Sequence, residues 1–429
     1  MTQSHELLES LFWTAVAAAH PAHCLAPALP EPPPRGRLIL LAAGKGAGSL
    51  TEVAERHYLA RISETRLEGV AVARHGYGRP TRRIAMVEAG HPIPDEAGLA
   101  GAERALALAD GAGTDDLVLV LLSGGASANW IAPATGVTLA EKQATTRALL
   151  RSGAHIGEIN CLRKHLSRIK GGRLARRAFP ARVVTLAISD VPGDDPAVIG
   201  SGPTVADPTT LADARAIVAK YRLELPAAVS DALTDPANES PKPGDEVFAR
   251  SEYRILARPA DALAAAQARA REAGFDCIVL SDRLQGEARE VATEHARLAR
   301  DYAAAGRRIA ILSGGELTVT LRGGGHGGPN QEYALALAIG LRGAKGVAGF
   351  AADTDGTDGG QGRPDDPAGA FIDDTTLARA NGFGLDPAAF LADNDSTGFF
   401  NGIGDLFAPG PTFTNVTDFR AIIVDRPAD

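Results

Sequence analysis

Residues 156–204 read IGEINCLRKHLSRIKGGRLARRAFPARVVTLAISDVPGDDPAVIGSGPT and carry basic, acidic and glycine-rich stretches in close succession. The polar and basic patch that opens this segment predicts a helix that continues to Gly171-Gly172. The apolar run 183–188 predicts a buried strand, which delivers Ser189-Asp190 and the loop Gly193-Asp194-Asp195 at its end. This mixture is typical of a site that handles phosphate together with a metal.

Two groups of side chains in this segment are candidate ligands. Asn160, Arg163 and Lys164 lie on the predicted helix, where contact with an anion and a solvated basic face are equally good interpretations. Asp190 and Asp194 follow the strand, and carboxylates in that position can hold Mg²⁺ or accept a proton from a hydroxyl. Turn formation and capping are the alternative role for these acids.

The apolar run 117–122 (LVLVLL) predicts the clearest strand of the chain, and it leads into Ser123-Gly124-Gly125-Ala126-Ser127. Ligands of open α/β sheets bind at the carboxyl ends of strands. Glycines there let backbone amides approach an anion, and the two serines add hydroxyls. We therefore predict an anion-binding loop here, with a plain tight turn as the alternative.

A similar junction follows the strand predicted over 37–42, in the loop Gly44-Lys45-Gly46-Ala47-Gly48-Ser49. It is not a Walker A motif, because the four-residue spacer is missing and the lysine precedes the second glycine. It is a poor dinucleotide fingerprint, because Ser49 stands where G-x-G-x-x-G has its last glycine. Lys45 is therefore either an anion ligand or part of a solvated turn.

The second half of the chain follows a proline-rich segment, 225–246, which we predict to be a linker. Ser313-Gly314-Gly315-Glu316 follows a strand predicted over 308–312, and the alternating run 317–321 predicts a half-buried strand after it. A glycine-rich stretch then leads through Asn330 into an apolar helix. Such junctions are candidate anion sites because they leave backbone N–H groups free.

An acidic loop, Asp353-Thr-Asp355-Gly-Thr-Asp358, ends a strand predicted over 347–351. It begins like a calcium-binding EF-hand loop. The twelfth position is Pro364 rather than glutamate, so we reject calcium.

The composition is that of a globular protein with more than one domain, since 429 residues exceed one ordinary core. The net charge of −8 argues against a general nucleic-acid or anionic-membrane binder. The three cysteines are far apart, which supports neither a zinc site nor a disulfide framework. No apolar run approaches the roughly 18 to 20 residues of a membrane span, and the N-terminus lacks the pattern of a secretory signal. We therefore expect a cytoplasmic protein.

Several blocks of this sequence resemble the two-domain glycerate 2-kinases, whose C-terminal half is called the MOFRL domain. The resemblance covers nearly the whole chain, and members of this family have often been labelled hydroxypyruvate reductases. Besides the loop around Lys45, it rests on GHPIPDE at 90, SGGAS at 123, NCLRKHLSRIKGGRLA at 160, SDVPGDDPAVIGSGPT at 189, SGGELTVTLRG at 313, GPNQEYALALA at 328, DTDGTDG at 353 and GPTFTNV at 410.

The resemblance implies an α/β fold in two parts: a Rossmann-like, parallel-sheet N-terminal domain over 1–238, and a smaller α/β MOFRL-type domain over 239–429. It places the active site in the cleft between these domains. The implied reaction transfers the γ-phosphoryl group of ATP to the 2-hydroxyl of D-glycerate and gives 2-phosphoglycerate and ADP. Mg²⁺ or another divalent cation would assist, because such transfers depend on positioning and charge neutralisation.

We assign roles to individual residues on this basis. Lys45 would neutralise phosphate charge in the transition state, Asp190 would act as general base or metal ligand, and Asp194 would be a further metal ligand. The remaining assignments are Ser123, Gly124, Gly125 and Ser127 to the glycerate carboxylate or a phosphate, Asn160, Arg163 and Lys164 to secondary anion contacts, and Gly314, Glu316, Asn330 and Asp355 to the nucleotide.

The chain departs from the family pattern in two places. Ala126 replaces a third glycine of the loop at 123, and His326 and Pro329 stand where the family commonly carries arginines. An arginine there would neutralise phosphate charge. This chain therefore either lacks those C-terminal phosphate contacts or makes them through Arg322 or Arg163.

The expected partners are small molecules, glycerate and ATP, without nucleic acid or membrane, and a homodimer is among the oligomeric states left open. Two other functions remain alternatives: an NAD(P)H-dependent hydroxypyruvate reductase, and a non-catalytic protein that binds a sugar acid or a nucleotide.

Overall fold

The structure is a computed structural model, and it describes residues 3–360 and 363–425. They form two compact units, 24–256 in one, and 3–23 with 257–425 in the other. The chain begins with helix α1 (Gln3–Ala19) and the short α2 (Pro21–Cys24), and α1 belongs to the unit that contains the C-terminal half. These units divide the chain at 256/257, whereas the division after 238 stays a prediction about the family's domains.

The 24–256 unit is built on a six-stranded sheet in the order β3-β2-β1-β4-β5-β6. Neighbouring strands from β1 to β5 are parallel. This is the doubly wound order, in which the chain leaves β1 in one direction and returns to β4 on its other side. The strands are β1 (Leu38–Ala43), β2 (Leu67–Arg74), β3 (Ile84–Ala89), β4 (Leu117–Leu122), β5 (Arg182–Ile188) and β6 (Ser251–Ala257).

Apolar runs fill the centre of this sheet, because β1 and β4 are buried at every position. Continuous burial is expected for parallel strands covered on both faces, and it explains why the sequence located these two strands accurately. The helices of the unit are α3 (Ala47–Leu59), α4 (Glu96–Asp110), α5 (Ala126–Asn129), α6 (Leu139–Arg151), α7 (Ile156–His165), α8 (Arg173–Ala178), α9 (Leu211–Lys220) and α10 (Ala227–Thr234).

The predicted basic helix is shorter than expected, because α7 ends at His165 and not at Gly171. Beyond it, the backbone pairs with residues 132–134: Arg168 N donates to Ala132 O over 2.9 Å, and Ala134 N donates to Leu166 O over 3.1 Å. Gly171 and Gly172 then adopt positive φ angles of 58° and 79°. These long-range bonds replace the helical ones, so Arg168 and Lys170 lie on an irregular segment.

The proline-rich stretch 225–246 is folded rather than a free linker. It contains α10, whose Val229 and Leu233 are buried in a core cluster of the 24–256 unit. The linker interpretation was therefore wrong for this part of the chain.

The second unit contains a mixed sheet in the order β11-β10-β9-β12-β8-β7. Strands β7 and β8 are parallel, and the other neighbours are antiparallel. The strands are β7 (Asp276–Val279), β8 (Ile309–Ser313), β9 (Val347–Asp353), β10 (Gly369–Ile372), β11 (Leu406–Phe407) and β12 (Asp418–Val424). Its helices, besides α1, are α11 (Pro259–Glu272), α12 (Ala288–Ala304), α13 (Pro329–Leu341), α14 (Thr376–Gly382), α15 (Pro387–Ala392) and α16 (Ser396–Ile403).

An aromatic cluster explains why α1 joins this second unit. The ring of Phe12 lies 5.5 Å from that of Phe350 and 5.1 Å from that of Phe407, in edge-to-face geometry. Such pairs add stabilisation beyond the burial of their area.

One predicted strand is absent from the second unit. Residues 317–321 form no strand, and only isolated bridges join Gly315 to Leu284 and Thr318 to Glu287. The alternation of apolar and polar residues was misleading here. This segment pairs with the neighbouring chain only through single bridges and not through a continuous ladder of hydrogen bonds. The short strands β10 and β11 were missed, since runs of four and two residues show no usable period.

Among the described residues, no helix is both long and apolar enough to cross a lipid bilayer.

Candidate active site

The loops after β1 and β4 meet at the point where the strand order reverses. Lys45 N donates to Gly124 O over 2.7 Å, and Gly46 N donates to Ser123 Oγ over 2.8 Å. The carboxyl edge at this switch point is where open α/β sheets bind ligands. The structure thus brings together two loops that the sequence analysis singled out separately.

Two glycines allow this close approach. Gly44 has a φ of 118°, and a Cβ built there would lie 2.4 Å from Ser123 Oγ. Gly125 has a φ of 84°, and a Cβ there would lie 2.9 Å from the His91 ring and 3.3 Å from Lys45 Cγ. Side chains are strained at both positions, and the side chains of Lys45 and His91 therefore flank the Gly125 backbone.

A cavity of about 380 Å³ opens beside these loops, within the size range of small-molecule sites. Its walls come from the 91–94 turn, from α5, from α6, from the last turn of α7 and from the segment that follows α7. Residues that line it include His91, Ile93, Gly125, Ser127, Ile131, Lys142, Gln143, Arg147, Leu150, Arg163 and Lys170.

Of the residues that the structure describes, none that lines this cavity carries a carboxylate, whereas four carry a cationic side chain: Lys142, Arg147, Arg163 and Lys170. Lys170 Nζ donates to Ser127 O over 2.7 Å, and Lys142 Nζ donates to Leu166 O. These partners are neutral carbonyls, so they leave the positive charges uncompensated. An anionic ligand would relieve the repulsion among them.

Burial shifts the titration of these groups. It lowers the pKa of Lys170 to about 7, with a further contribution from the nearby Arg163 charge. It also lowers the pKa of Lys142 well below the ordinary value, helped by the charges of Lys170, Arg173 and Arg163. Burial likewise lowers the pKa of Arg163. All three shifts have the direction expected where cations lack a counter-ion.

The structure separates the predicted anion ligands into two groups. Gly125, Ser127 and Arg163 line the cavity. Ser123 is fully buried and holds the Lys45 loop through Gly46 N, so its hydroxyl has a structural role. Asn160 and Lys164 are also buried, and Lys164 Nζ forms an ion pair of 3.3 Å with Asp207.

Several lining residues were not assigned to the site from the sequence. His91 belongs to the GHPIPDE motif at 90, and that motif was a usable signal for it. Lys170 was placed on a helix that does not exist there. Nothing in the α6 sequence distinguished Lys142 from a solvated lysine.

Asp190 and Asp194 lie on the loop that follows β5. Strand β5 is a neighbour of β4 in the sheet. Neither of these two aspartates lines the cavity. Burial raises the pKa of the Tyr253 hydroxyl, and the charges of Asp195 and Asp190 add to this effect. Among the described residues, no three His, Cys, Asp or Glu side chains converge on a metal site.

The residues assigned to the nucleotide belong to the second unit, and most of them are internal. Asn330 is buried, and its Nδ2 donates to Asp358 Oδ1 over 3.1 Å and to Asp418 Oδ1 over 2.7 Å. Asp355 is fully buried and accepts from Thr357 N over 2.8 Å. Glu316 is exposed, and Gly314 O accepts from the Arg420 guanidinium over 3.0 Å. Asn330 and Asp355 therefore organise the fold around their loops.

Asp358 was not singled out from the sequence, yet it holds the start of α13. Its carboxylate accepts from Asn330 N over 3.1 Å and from Gln331 N over 2.9 Å, as well as from both side-chain amides. Burial and the nearby Asp418 charge raise the pKa of Asp358 to about 7, against the effect of these hydrogen bonds.

Two of the positions that depart from the family pattern, His326 and Pro329, lie just before and at the start of the same helix, while Ala126 begins α5. Pro329 occupies the first turn of α13, where a missing N–H costs nothing. His326 and Arg322 are exposed.

Comparison with known proteins agrees with this architecture. Residues 7–234 match the family model described as Domain of unknown function (DUF4147), and residues 309–418 match the MOFRL family. A D-glycerate 2-kinase of Thermotoga maritima is 39% identical over 387 residues, which are 89% of this chain and 89% of that protein. The chain belongs to the glycerate 2-kinase family.

Two further relatives complete the comparison. A protein of Agrobacterium vitis named putative hydroxypyruvate reductase is 46% identical over 427 residues, 98% of this chain and 94% of that protein. The crystal structure of glycerate kinase from Thermotoga maritima superposes with a TM-score of 0.86 at 37% identity, and covers 98% of this chain and 99% of that one. The predicted family and the α/β fold class are both confirmed.

Proposed function

We propose that this member of the glycerate 2-kinase family phosphorylates D-glycerate with ATP at the 2-hydroxyl and releases 2-phosphoglycerate and ADP. The observation that carries this proposal is the cavity at the switch point, because four cations and no carboxylate line it. Glycerate is a small carboxylate, and the reaction adds phosphate charge to it. Both features suit a site whose cations lack a counter-ion.

Arg163 and Lys170 are the groups we assign to the carboxylate of glycerate. The Arg163 guanidinium donates no hydrogen bond to any residue within 3–360 and 363–425, so its planar array of donors is available to a ligand. Lys170 holds Ser127 O, which links the carboxylate end of the cavity to the Ser123–Ser127 loop. The backbone N–H groups of Gly125 and Ser127, which line the cavity, would add neutral donors, whereas Gly124 is buried.

Lys45 is the group we assign to the transferred phosphoryl group. Its backbone is held by Gly124 O, and its side chain lies against Gly125 at the cavity wall. Positive charge at that point stabilises the negative charge that spreads over the phosphoryl oxygens during transfer.

Asp190 and Asp194 are proposed to hold Mg²⁺ with the nucleotide, and Asp190 is also our candidate for the base that accepts the hydroxyl proton. Mg²⁺ needs only one or two protein carboxylates when substrate phosphates complete its coordination, and two acids on one loop fit that requirement. The ion would neutralise charge on the β- and γ-phosphates. ATP use also agrees with a cytoplasmic enzyme.

Hydroxypyruvate reduction is the second candidate, because close relatives carry that name. A Rossmann reductase needs an acid at the end of its second strand to bind the ribose of NAD. Here β2 ends in Arg74, which is buried and stacks on Tyr77 at 5.0 Å. In addition, Ser49 is buried at the last fingerprint position and donates to Gly46 O. Among the described residues, the βα unit that starts at β1 therefore lacks the acid and the last glycine of an NAD site, and the arginine that could face the 2′-phosphate of NADP is buried.

Two assays on the purified chain separate these functions. We expect ADP release from ATP only when D-glycerate is added, and no oxidation of NADH or NADPH with hydroxypyruvate. The reverse pattern would make the chain a reductase. Calorimetric binding of glycerate with no ADP release would make it a non-catalytic binding protein.

Arg163→Gln is expected to raise KM for D-glycerate by about 10- to 100-fold with a smaller change in kcat, because it removes a charged hydrogen bond made to the bound substrate. Steady-state kinetics at saturating ATP measures this. Arg151→Gln, at the exposed end of α6, is the matched control and should behave like wild type. An unchanged KM in Arg163→Gln would remove this residue from the substrate site.

Substrate affinity should fall as the pH rises above 7. Lys170 has a pKa of about 7 in the free protein, and a bound anion favours its charged form. KM for D-glycerate is therefore expected to stay low below pH 7 and to rise by up to about tenfold per pH unit above it. A pH series from 6 to 9 tests this, and Lys170→Met should flatten the profile. A flat profile in the wild type would contradict the role of Lys170.

A further inference from the structure

Another cavity of the 24–256 unit, of about 230 Å³, is lined by four arginines and has no role in the proposed phosphorylation. We call it the arginine pocket. The residues that matter are Arg168, Arg173, Arg176, Arg177, Ser167 and Asp235.

Two of these arginines are already paired with carboxylates. Arg168 binds both oxygens of Glu103, and Arg177 contacts Asp110 at 2.8 Å. Asp235 is the one acid in the lining, and its Oδ1 accepts from Ala237 N over 2.9 Å.

The other two arginines form no ion pair within the described chain. Arg173 donates to Lys164 O over 2.8 Å, to Lys170 O over 3.1 Å, and to Asn238 O. Arg176 donates only to Glu239 O, over 3.2 Å, which is one of the five donors that a guanidinium offers. The pocket therefore holds two guanidinium charges that only carbonyls contact.

The buried Arg173 distinguishes this pocket from a group of surface arginines. It is 6% exposed, and three backbone carbonyls fix its guanidinium plane. Burial lowers its pKa to about 10, and the neighbouring Arg176 charge adds to the effect, while the charges of Asp207 and Glu239 oppose it. A fixed, buried guanidinium without a direct ion pair favours an oxyanion, to which it can donate charged hydrogen bonds.

We propose that the arginine pocket is a second anion site that binds a phosphate group, carried either by inorganic phosphate or by a small phosphomonoester. Arg173 forms the floor, and Arg176 and Arg177 close over the anion from α8. The pocket is distinct from the glycerate cavity, because the two have no lining residue in common.

The two sites are nevertheless joined by one segment of chain. Arg173 holds the carbonyls of Lys164 and Lys170, and the Lys170 side chain reaches the glycerate cavity. Arg173 therefore connects an anion bound in the arginine pocket to Lys170, which we assign to the carboxylate of glycerate.

Calorimetric titration of the full chain tests the proposal at constant ionic strength and without ATP, so the result does not depend on whether the chain phosphorylates glycerate. Inorganic phosphate and glycerol 2-phosphate are the two probes, and the tighter one identifies the source of the phosphate group. We expect the double variant R176Q/R177Q to bind the preferred probe at least about tenfold more weakly than wild type, from the loss of charged hydrogen bonds.

Two control variants locate the binding. R182Q removes an exposed arginine that pairs with Glu252 at 3.3 Å outside the pocket, and it should bind like wild type. R163Q removes an arginine of the glycerate cavity, so any binding that this variant loses belongs to that cavity, and the binding that it retains belongs to the arginine pocket. The proposal is overturned if wild type binds neither probe at millimolar concentration, or if R163Q loses the binding while R176Q/R177Q keeps it. Melting curves confirm that each variant is folded.

Discussion

Lys45→Ala is expected to lower kcat for glycerate phosphorylation by about 10²- to 10³-fold, because one preorganised charge at the transferred group is commonly worth that much. The loop itself should survive the change. Lys45 contributes its backbone N–H to Gly124 O, and Gly46 N is held by Ser123 Oγ, and alanine keeps both bonds. The measurement is ADP release at saturating ATP and D-glycerate.

Lys45→Arg and Lys345→Ala are the controls for this variant. Arginine keeps the charge with a different geometry and should recover part of the rate. Lys345 is 78% exposed in the second unit, and its loss should leave kcat unchanged. If Lys45→Ala turns over near the wild-type rate with an unchanged melting temperature, the central phosphate assignment is wrong.

Asp358→Ala is expected to destabilise the second unit by about 4 kcal/mol at low pH, since it strands several buried donors at the start of α13. The backbone N–H groups of Asn330 and Gln331 and both side-chain amides lose their acceptor. Alanine offers no replacement, and the site is buried. Denaturant unfolding followed by circular dichroism measures the loss.

The cost of this substitution should shrink as the pH rises. The folded-state pKa of Asp358 is raised to about 7, above the ordinary value of 3.8, so its protonated form favours folding at low pH. That stabilisation is fully present below pH 3.8 and is lost as the pH rises from there through 7. A rise of the pKa from 3.8 to about 7 corresponds to about 4 kcal/mol, so the difference between wild type and Asp358→Ala should be small at pH 8.

Asp365→Ala provides the comparison for this prediction. Asp365 lies in the same loop region, but its side chain is 83% exposed, so the change should stay within about 0.5 kcal/mol. Equal free energies of unfolding for Asp358→Ala and Asp365→Ala at low pH would show that the hydrogen bonds at the start of α13 contribute little to stability.

The strand-to-loop junctions of the 24–256 unit could be predicted because parallel strands have a plain signature. Continuous apolar runs ending in glycine located β1 and β4, and each following loop was singled out by itself. The strand order of the folded sheet is what brings Lys45 beside Gly125. Which side chain faces the cavity was not predictable in the same way. Ser123 and Ser127 belong to one motif, yet the first is internal and the second lines the cavity.

The cations of the cavity illustrate a second limit. Lys142 and Lys170 act together only because the segment after α7 leaves the helix and pairs with residues 132–134. Charge and spacing in the sequence favoured a longer helix, and long-range backbone bonds overrode that local preference. Asn330 was likewise assigned to a ligand. In the structure its side-chain amide donates to two buried carboxylates, those of Asp358 and Asp418.

The product formed from ATP and D-glycerate, identified by ³¹P and ¹³C NMR, tests the proposed activity most directly. We predict that the wild-type chain produces 2-phosphoglycerate and that Lys45→Ala produces almost none in the same time. Unchanged glycerate, together with consumption of hydroxypyruvate and NADH by the same preparation, would contradict the account.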